Sequence, residues 1–416
     1  MRVTIKKIRA FFLILALLFL AGGIGYRWGE RGSFRSPSIT SGVRSSRQSP
    51  MGGQQLDFSL FWEVWDRLES TYLGKESLSS QDMVYGAISG LVASLGDPYS
   101  VFLTPEQNSQ AGEDLAGSFG GIGIQLGYLN RQLAVIAPLK GTPAEKAGVK
   151  ARDLILKIGD LETLGLSLPE AVKLIRGPKG EAIRLTMLHQ GEKASYEVEI
   201  IREMIEVPSV ALDFHDNCQQ NQDQCSPIAK ITLSRFGDNT AQEWLTSVGE
   251  ILEKCQPLSS CQGVVLDLRN NPGGYLESSV YVASEFLSSG VVVQQEEVGG
   301  QRQGLEVNRE GSLLEIPLVV LINQGSASAS EIVAGALKEQ QRAILVGDDS
   351  FGKGSIQEAQ ELPGGAGLHI TTARWLLPSG QSVDVEGLKP NIYVQNDPEG
   401  EEDNQLNRAI EILREK

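Results

Sequence analysis

Apolar residues recur at helical spacing in two neighbouring segments, residues 57–72 and 80–95. In each segment they fall three or four residues apart, so that one face of an amphipathic helix is apolar. The run Gly96-Asp97-Pro98 ends the second segment, because Gly and Pro close together favour a turn. The pattern therefore predicts a small N-terminal helical cap over residues 56–111.

Shorter, alternating apolar patterns follow over residues 112–203 and predict a β-rich module. A glycine-rich start leads into five elements: strand Leu133–Ala137, a short helix Pro143–Gly148, strand Asp153–Ile158, a helix that begins at the capping box Ser167–Glu170, and a hairpin made by residues 183–188 and 196–201. The order and length of these elements resemble a PDZ domain.

By that resemblance, Gly121, Ile122, Gly123 and Ile124 form the loop that binds the terminal carboxylate of a peptide. Successive backbone N–H groups can hold a carboxylate, and an adjacent sheet edge can accept an extended chain. The alternative is a glycine-rich turn without a ligand. A dinucleotide fingerprint does not fit, because Leu126 stands where its third glycine is required.

Continuous apolar runs alternate with helical patterns over residues 204–395. Gly263–Leu268 leads into the sharp turn Arg269–Gly274, and Leu318–Ile322 leads into an alanine-rich helix. Strands that are apolar on both faces are typical of a sheet covered by helices on both sides. We therefore predict an α/β core here, followed by an acidic and then helical tail over residues 396–416.

The N-terminus carries a membrane signal. Four basic residues precede Ala10–Tyr26, a run of 17 residues without a charge. As a helix this run is about 25 Å long, close to the thickness of a hydrocarbon core. The basic residues before this run favour an N-terminus that stays in the cytoplasm, with the rest of the chain carried across the membrane. We predict a membrane anchor over residues 1–31 and a flexible linker over 32–55, with a cleaved signal peptide as the alternative.

Charge is distributed unevenly along the chain. The 416 residues carry a net charge of −15, yet residues 1–55 hold nine basic residues and one acidic residue. The remainder is therefore strongly acidic, which disfavours nucleic-acid binding. Hydrophobic residues make up 41% of the chain, as expected of a globular protein.

Four cysteines agree with export. Cys218 and Cys225 bracket one polar segment, and Cys255 and Cys261 bracket another. An even number with local spacing predicts disulfide-closed loops in an oxidising compartment, although the spacing does not decide which cysteines pair. A metal site is disfavoured, because the cysteines lack CxxC spacing and a nearby histidine pair.

Three serines are candidate nucleophiles: Ser326, Ser328 and Ser330, which lie between a buried strand and a helix. Unpaired N–H groups and the positive end of the helix dipole at this position can stabilise an oxyanion. The alternative is a purely structural role, because Ser328 and Glu331 also have the spacing of a capping box.

A serine nucleophile needs a base. No motif places His189, His215 or His369 beside these serines. Lys353 lies in a glycine-flanked segment, and a lysine can act as the base if burial lowers its pKa. In an extended strand Gln357 would share a face with Lys353 and could orient its amine. The alternative is an ordinary solvated lysine.

These motifs together resemble the carboxyl-terminal processing peptidases, also called tail-specific proteases. The resemblance rests on the segments at residues 95–107, 266–274, 323–337 and 351–357, beside the PDZ-like module. It implies a crotonase- or ClpP-like α/β peptidase core with an inserted PDZ domain and a helical cap.

By the same resemblance Ser328 is the nucleophile, Lys353 the general base and Gln357 the residue that positions it. The oxyanion hole is then formed by the N–H of Ala329 and that of Gly273 or Gly274. No metal or cofactor is implied. The expected partners are protein substrates with exposed apolar C-termini, and the membrane through the N-terminal helix.

Two other functions are weighed against this one. Residues 347–353 nearly match a phosphate-binding P-loop, but Gly354 replaces the hydroxyl residue that binds magnesium. A membrane-tethered PDZ adaptor would bind tails without cutting them, and it would not need Ser328 or Lys353. Both residues are present, which favours the peptidase.

Overall fold

The computed structural model describes residues 56–215, 226–395 and 402–415. The predicted anchor, the linker and the Cys218–Cys225 segment lie outside the described residues. Among the described residues no helix is long and apolar enough to cross a membrane. The chain divides into two compact units, the second of which begins at Ser79.

The first unit contains helix α1, Ser59–Thr71, within its described residues. Its aromatic side chains contact one another, with ring centroids 5.0 Å apart for Phe61 and Trp62 and 6.0 Å apart for Trp62 and Trp65. The helical spacing of these residues in the sequence therefore produces a cluster of rings on one side of α1.

The second unit opens with two helices, α2 (Ser80–Ala93) and α3 (Pro105–Ala116), on either side of strand β1 (Val101–Leu103). The α3 helix starts with a capping box in which Thr104 and Gln107 satisfy each other's backbone N–H groups. The turn between α2 and β1 contains Asp97 and Tyr99, which reappear below beside the candidate site.

A β-rich module follows. Its main sheet has the strand order β3-β4-β5-β7-β8, with β6 paired to β5, and a separate antiparallel pair, β2 and β9, joins its two ends. The bounds are β2 Ser118–Gly121, β3 Ile124–Leu129, β4 Gln132–Pro138, β5 Leu154–Ile158, β6 Leu161–Glu162, β7 Ala182–Leu188, β8 Tyr196–Ile201 and β9 Glu203–Glu206. Helices α4 (Pro143–Lys146) and α5 (Leu168–Ile175) complete the module. Strand β3 lies at the edge of the main sheet.

The α/β core is built on a six-stranded sheet with the order β10-β11-β12-β15-β16-β19. Only β10 runs antiparallel to its neighbour. The bounds are β10 Val210–His215, β11 Ile228–Leu233, β12 Gly263–Asp267, β15 Leu318–Ile322, β16 Ile344–Gly347 and β19 Ile392–Tyr393.

Helices cover both faces of this sheet, which explains why its central strands are continuously apolar. Helices α6 (Thr240–Lys254), α7 (Leu276–Ala283) and α8 (Ala329–Glu339) pack against one face. Helix α9 (Asn404–Arg414) packs against the other through residues such as Leu413. The predicted α/β fold class is confirmed.

The loop that contains Lys353 leads into β17 (Ser355–Glu361), a strand of a separate sheet. Strand β18 (Gly367–Leu376) pairs with β1, with β17 and with β13 (Val291–Glu297), and β13 pairs with β14 (Arg302–Glu306). A disulfide between Cys255 and Cys261, with Cα atoms 5.4 Å apart, closes the turn after α6. The prediction of a local disulfide is confirmed for this pair.

Candidate active site

Two turns meet at the carboxyl edge of the six-stranded sheet, because the parallel strands β12 and β15 are neighbours. Asn271, in the turn after β12, is fully buried and ties the turns together. Its carbonyl accepts hydrogen bonds from Ala327 N–H at 3.0 Å and from the Ser330 hydroxyl at 2.9 Å. Its side-chain amide donates to Leu233 O at 2.7 Å. Sequence reasoning missed Asn271, because these contacts join residues far apart in the chain.

The three serines, which the sequence alone does not tell apart, have different surroundings. Ser326 and Ser330 are fully buried. The Ser326 hydroxyl donates to Leu268 O at 2.8 Å, as the Ser330 hydroxyl does to Asn271 O. Ser328 is partly exposed, and it has a φ of 53° and a ψ of −115°. A residue with a side chain rarely adopts positive φ, and such strain is concentrated at functional sites.

Glu331 links the serine segment to the lysine segment. Its carboxylate is fully buried and accepts four hydrogen bonds. Oε2 accepts from Ser328 N–H at 2.8 Å and from Lys353 N–H at 3.0 Å. Oε1 accepts from the Ser350 hydroxyl at 2.6 Å and from Gly352 N–H at 2.7 Å. One side chain therefore fixes the main chain at both candidate catalytic residues. The capping-box spacing was the signal for Glu331, but it did not reveal the contact with Lys353.

Lys353 is partly buried in the loop between β16 and β17. Its carbonyl accepts a hydrogen bond from Trp375 Nε1 at 2.8 Å, and its Nζ lies 5.1 Å from the centroid of the Tyr99 ring. Burial lowers the pKa of the Lys353 amine, and the carboxylates of Asp97 and Glu331 oppose that shift in part. The amine is therefore easier to deprotonate than that of an exposed lysine.

The side chains of the candidate dyad are not joined in this structure. Among the described residues, no hydrogen bond connects Ser328 Oγ with Lys353 Nζ. The Gln357 amide donates to Ser355 Oγ at 2.8 Å and to Thr371 Oγ1 at 3.2 Å, and it makes no hydrogen bond to Lys353. Hydrogen bonds of a catalytic group are often long in a substrate-free enzyme and tighten when substrate binds.

The glycines after β12 lie against Ser328. A Cβ atom on Gly273 would come within 2.8 Å of Ser328 Cβ and 3.1 Å of Ala329 N, so only glycine fits there. Gly273 N–H donates to Asn271 Oδ1 at 2.9 Å. The N–H groups of Gly274 and Ala329 donate to no other described residue. Of the two glycines that the sequence offered as oxyanion donors, Gly274 is therefore the one whose N–H is available to bind an oxyanion.

Among the described residues, no hydrogen bond joins Ser328 to any of the three histidines. His189 pairs with Asp153 in the β-rich module, with Nδ1 and Oδ1 2.7 Å apart, and His215 ends β10. His369 lies in β18, and burial together with the charge of Lys353 lowers its pKa. The described residues also contain no cluster of three or more His, Cys, Asp or Glu side chains suited to a metal ion.

The predicted carboxylate-binding loop lies in the β-rich module, between β2 and β3. The carbonyls of Ile122 and Gly123 accept hydrogen bonds from Ala144 and Leu139, each at 2.9 Å. The N–H groups of Ile122 and Gly123 donate to no other described residue. Gly121 ends β2 and Ile124 begins the edge strand β3, so the loop leads directly into an unpaired strand edge.

Comparison with known proteins defines the class. Residues 227–394 match the sequence model of Peptidase family S41, and residues 135–188 match that of the PDZ domain. The chain is 35% identical over 391 residues to the carboxy-terminal processing protease CtpA of Bacillus subtilis (strain 168), covering 94% of this chain and 78% of that protein. It is also 35% identical to the carboxyl-terminal-processing protease of Synechocystis sp., over 82% of this chain and 77% of that protein.

Solved structures give the same result. The photosystem II D1 C-terminal processing protease is similar over 86% of this chain and 92% of its own, with 30% identity and a TM-score of 0.50. An S41 protease from Bacteroides fragilis shares the fold, with 16% identity and a TM-score of 0.52 over 87% of this chain and 99% of its own. The chain therefore belongs to the carboxy-terminal processing proteases of peptidase family S41. It is a serine peptidase with a PDZ domain.

Proposed function

We propose that this peptidase cleaves peptide bonds with a Ser328–Lys353 dyad. The observation that carries the proposal is the Glu331 carboxylate, which holds the main-chain N–H groups of both residues. Burial of Lys353 supports a role as base, because it lowers the pKa of the amine. The direct test is loss of cleavage when either side chain is removed.

The chemistry takes place in two stages. Neutral Lys353 accepts the Ser328 proton as Oγ attacks the scissile carbonyl, and the resulting ammonium group then donates that proton to the leaving amine. Water attacks the acyl-enzyme, again with Lys353 as the base, and releases the product and free Ser328. The first step requires Lys353 Nζ to come within hydrogen-bond reach of Ser328 Oγ.

Two backbone donors would stabilise the oxyanion formed in each stage. Ala329 N–H lies at the first position of α8, where the helix leaves it without an internal partner. Gly274 N–H is the better second donor, because Gly273 N–H already binds Asn271. Gln357 would complete the site by accepting a hydrogen bond from the Lys353 ammonium through its side-chain oxygen. Its amide nitrogen is held by Ser355 and Thr371.

The PDZ domain would bind the C-terminal tail of an unfolded or precursor protein. Its carboxylate would accept hydrogen bonds from Ile122 and Gly123, and the chain would pair with the edge of β3. A substrate with an amidated C-terminus should therefore show a KM about 10-fold higher than the same peptide with a free carboxylate, since charge-assisted hydrogen bonds are lost.

Gly123→Ala should produce the same rise with the free-carboxylate substrate. Gly123 has a φ of 77°, and a Cβ there would collide with Thr142 at 2.4 Å. Gly141→Ala is a matched control, because Gly141 has a φ of 79° but open space around it. Equal KM values for the two forms of the substrate would exclude carboxylate recognition by this loop.

Residues 1–31 would tether the enzyme to a membrane, with the peptidase body outside the cytoplasm. The uncharged run Ala10–Tyr26 behind a basic flank supports this tether. A protein that starts at residue 56 should stay in the supernatant when membranes are sedimented, while the full chain sediments with them. Mass spectrometry of the N-terminus distinguishes a retained anchor from a cleaved signal peptide. Sedimentation of the shortened protein with membranes would contradict the proposal.

A further inference from the structure

A cavity of about 900 Å³ opens beside Lys353. Its lining includes Gly352 and Gly354, the neighbours of the lysine in sequence, and Tyr99, whose ring faces Nζ. The other walls come from β18, from the turn between β13 and β14 and from residues 384–385. A volume of this size accommodates several residues of an extended chain or a drug-sized ligand. Ser328 and Lys353 do not themselves line the cavity, which adjoins the Lys353 segment through the two glycines and Tyr99.

Three apolar side chains that line this cavity are unusually exposed: Val298 is 94%, Phe351 53% and Val385 86% exposed. Single exposed apolar residues need no explanation. These three come from different parts of the chain and converge on one cavity, which is typical of a binding site. They give the cavity an apolar rim that has no partner among the described residues.

Val385 has a backbone that does not suit its side chain. Its φ is 72°, and a β-branched residue at positive φ is an outlier. Neighbouring contacts impose this conformation: Val385 N–H donates to Gly352 O at 2.9 Å, and Gly354 N–H donates to Asp384 Oδ1 at 3.3 Å. Glycine would meet the same backbone requirement without strain. The exposed isopropyl group adds nothing to the packing of the fold, so the strain points to a contact with a ligand.

Charge narrows the range of ligands. Asp97, Glu297 and Asp384 line the cavity, together with a Glu296 carboxylate that is paired with Arg302 and Arg374. The carboxylates of Asp97, Glu297 and Asp384 form no ion pair among the described residues, and they would repel an acidic side chain that entered the cavity. The cavity is thus suited to an apolar side chain and unsuited to an acidic one.

We propose that this cavity binds an apolar substrate side chain next to the scissile bond, and that Val385 is a specificity-determining residue. The inference rests on the proposed dyad, because Lys353 locates the scissile bond. It concerns residues beside the cleaved bond and not the C-terminal residue that the PDZ domain would bind.

The test uses the full-length protein and a peptide series with one constant C-terminal sequence. Leucine, alanine or aspartate is placed in turn at each position flanking the cleaved bond, and mass spectrometry identifies the cut. The wild type should prefer leucine over alanine, and aspartate should be cleaved least. Val385→Gly should lower kcat/KM for the leucine peptide about 10-fold, mainly through KM, and change it less than about 2-fold for the alanine peptide.

Two controls separate side-chain loss from relief of strain. Val385→Asn keeps a residue that tolerates positive φ but removes the apolar surface, so it should match Val385→Gly. Gln341→Gly relieves the same type of strain at a φ of 57°, after α8 and away from the cavity, and should leave the preference for leucine unchanged. Thermal unfolding should show that all three variants are folded.

The outcomes also distinguish this inference from the proposed dyad. If Ser328→Ala remains active, the dyad is wrong whatever Val385 does. If Ser328→Ala is inactive but Val385→Gly keeps the wild-type ratio of leucine to alanine cleavage, only the specificity role of Val385 is overturned. A wild type that cleaves the aspartate peptide as well as the leucine peptide would overturn the apolar assignment of the cavity.

Discussion

Replacing Ser328 by alanine is expected to reduce peptide-bond cleavage by at least about 10⁴-fold, because removal of a nucleophile leaves only binding and oxyanion stabilisation. The fold should be retained, since Ser328 is partly exposed and its backbone N–H remains free to bind Glu331. Cleavage of an unstructured polypeptide, followed by gel electrophoresis and mass spectrometry, measures the effect. Tail binding should persist, which separates loss of chemistry from loss of recognition.

The neighbouring serines provide the controls. Ser326→Ala and Ser330→Ala each remove a buried hydrogen bond to a main-chain carbonyl, so they should lower thermal stability but leave measurable turnover. An inactive Ser330→Ala variant that is fully folded, beside an active Ser328→Ala variant, would move the nucleophile to Ser330. Wild-type turnover in all three variants would show that the nucleophile lies outside this segment, whereas a wild type that binds tails without cutting them would favour the non-catalytic adaptor.

Removal of the Lys353 amine is expected to have an effect of similar size, and the pH dependence identifies the amine as the base. The base is the neutral form, whose fraction rises with pH. Burial lowers the pKa of Lys353 below its ordinary value of 10.5. Activity should therefore increase with pH through a midpoint below 10.5, whereas Lys353→Arg, which stays charged, should be inactive over the whole range.

Asp97→Asn tests the assignment of that midpoint. The Asp97 carboxylate raises the pKa of Lys353 against the effect of burial. Removal of this carboxylate should move the pH range over which kcat/KM rises to lower pH. Lys338→Ala is the control: Lys338 lies in the last turn of α8, and its replacement should leave that pH range unchanged. A midpoint that stays fixed in Asp97→Asn and persists in Lys353→Arg would show that another group is the base.

Sequence reasoning reached the fold class because local patterns encode it. Residues 263–266 and Leu318–Ile322 carry no polar side chain, and each segment is buried on both faces of one sheet. The serine segment was found from its position between a buried strand and a helix, and Lys353 from its glycine-flanked segment. The family resemblance singled out Ser328 among the three serines. Neither result required knowledge of contacts between distant parts of the chain.

The details of the site depend on such contacts and could not be predicted. Glu331 has the spacing of a helix cap, and nothing local shows that its carboxylate also binds a loop 22 residues further on. Tyr99 follows a turn that ends a helix, yet its ring lies over Lys353 because Ser100 ties that turn to Thr371 in β18. A register shift in β17 between Ile356 and Gln357 is equally invisible in the sequence.

The shared carboxylate of Glu331 also limits how this enzyme could be switched on and off. The loop that carries Lys353 cannot move away from Glu331 without breaking three hydrogen bonds, those from the Ser350 hydroxyl and from the N–H groups of Gly352 and Lys353. We therefore expect an inactive and an active state to differ in the side-chain torsion angles of Ser328 and Lys353, while the main chain around both residues stays in place. Exposed side chains change rotamer in picoseconds to nanoseconds. Because Lys353 is partly buried, its rotation would be slower and would limit how quickly the productive arrangement forms.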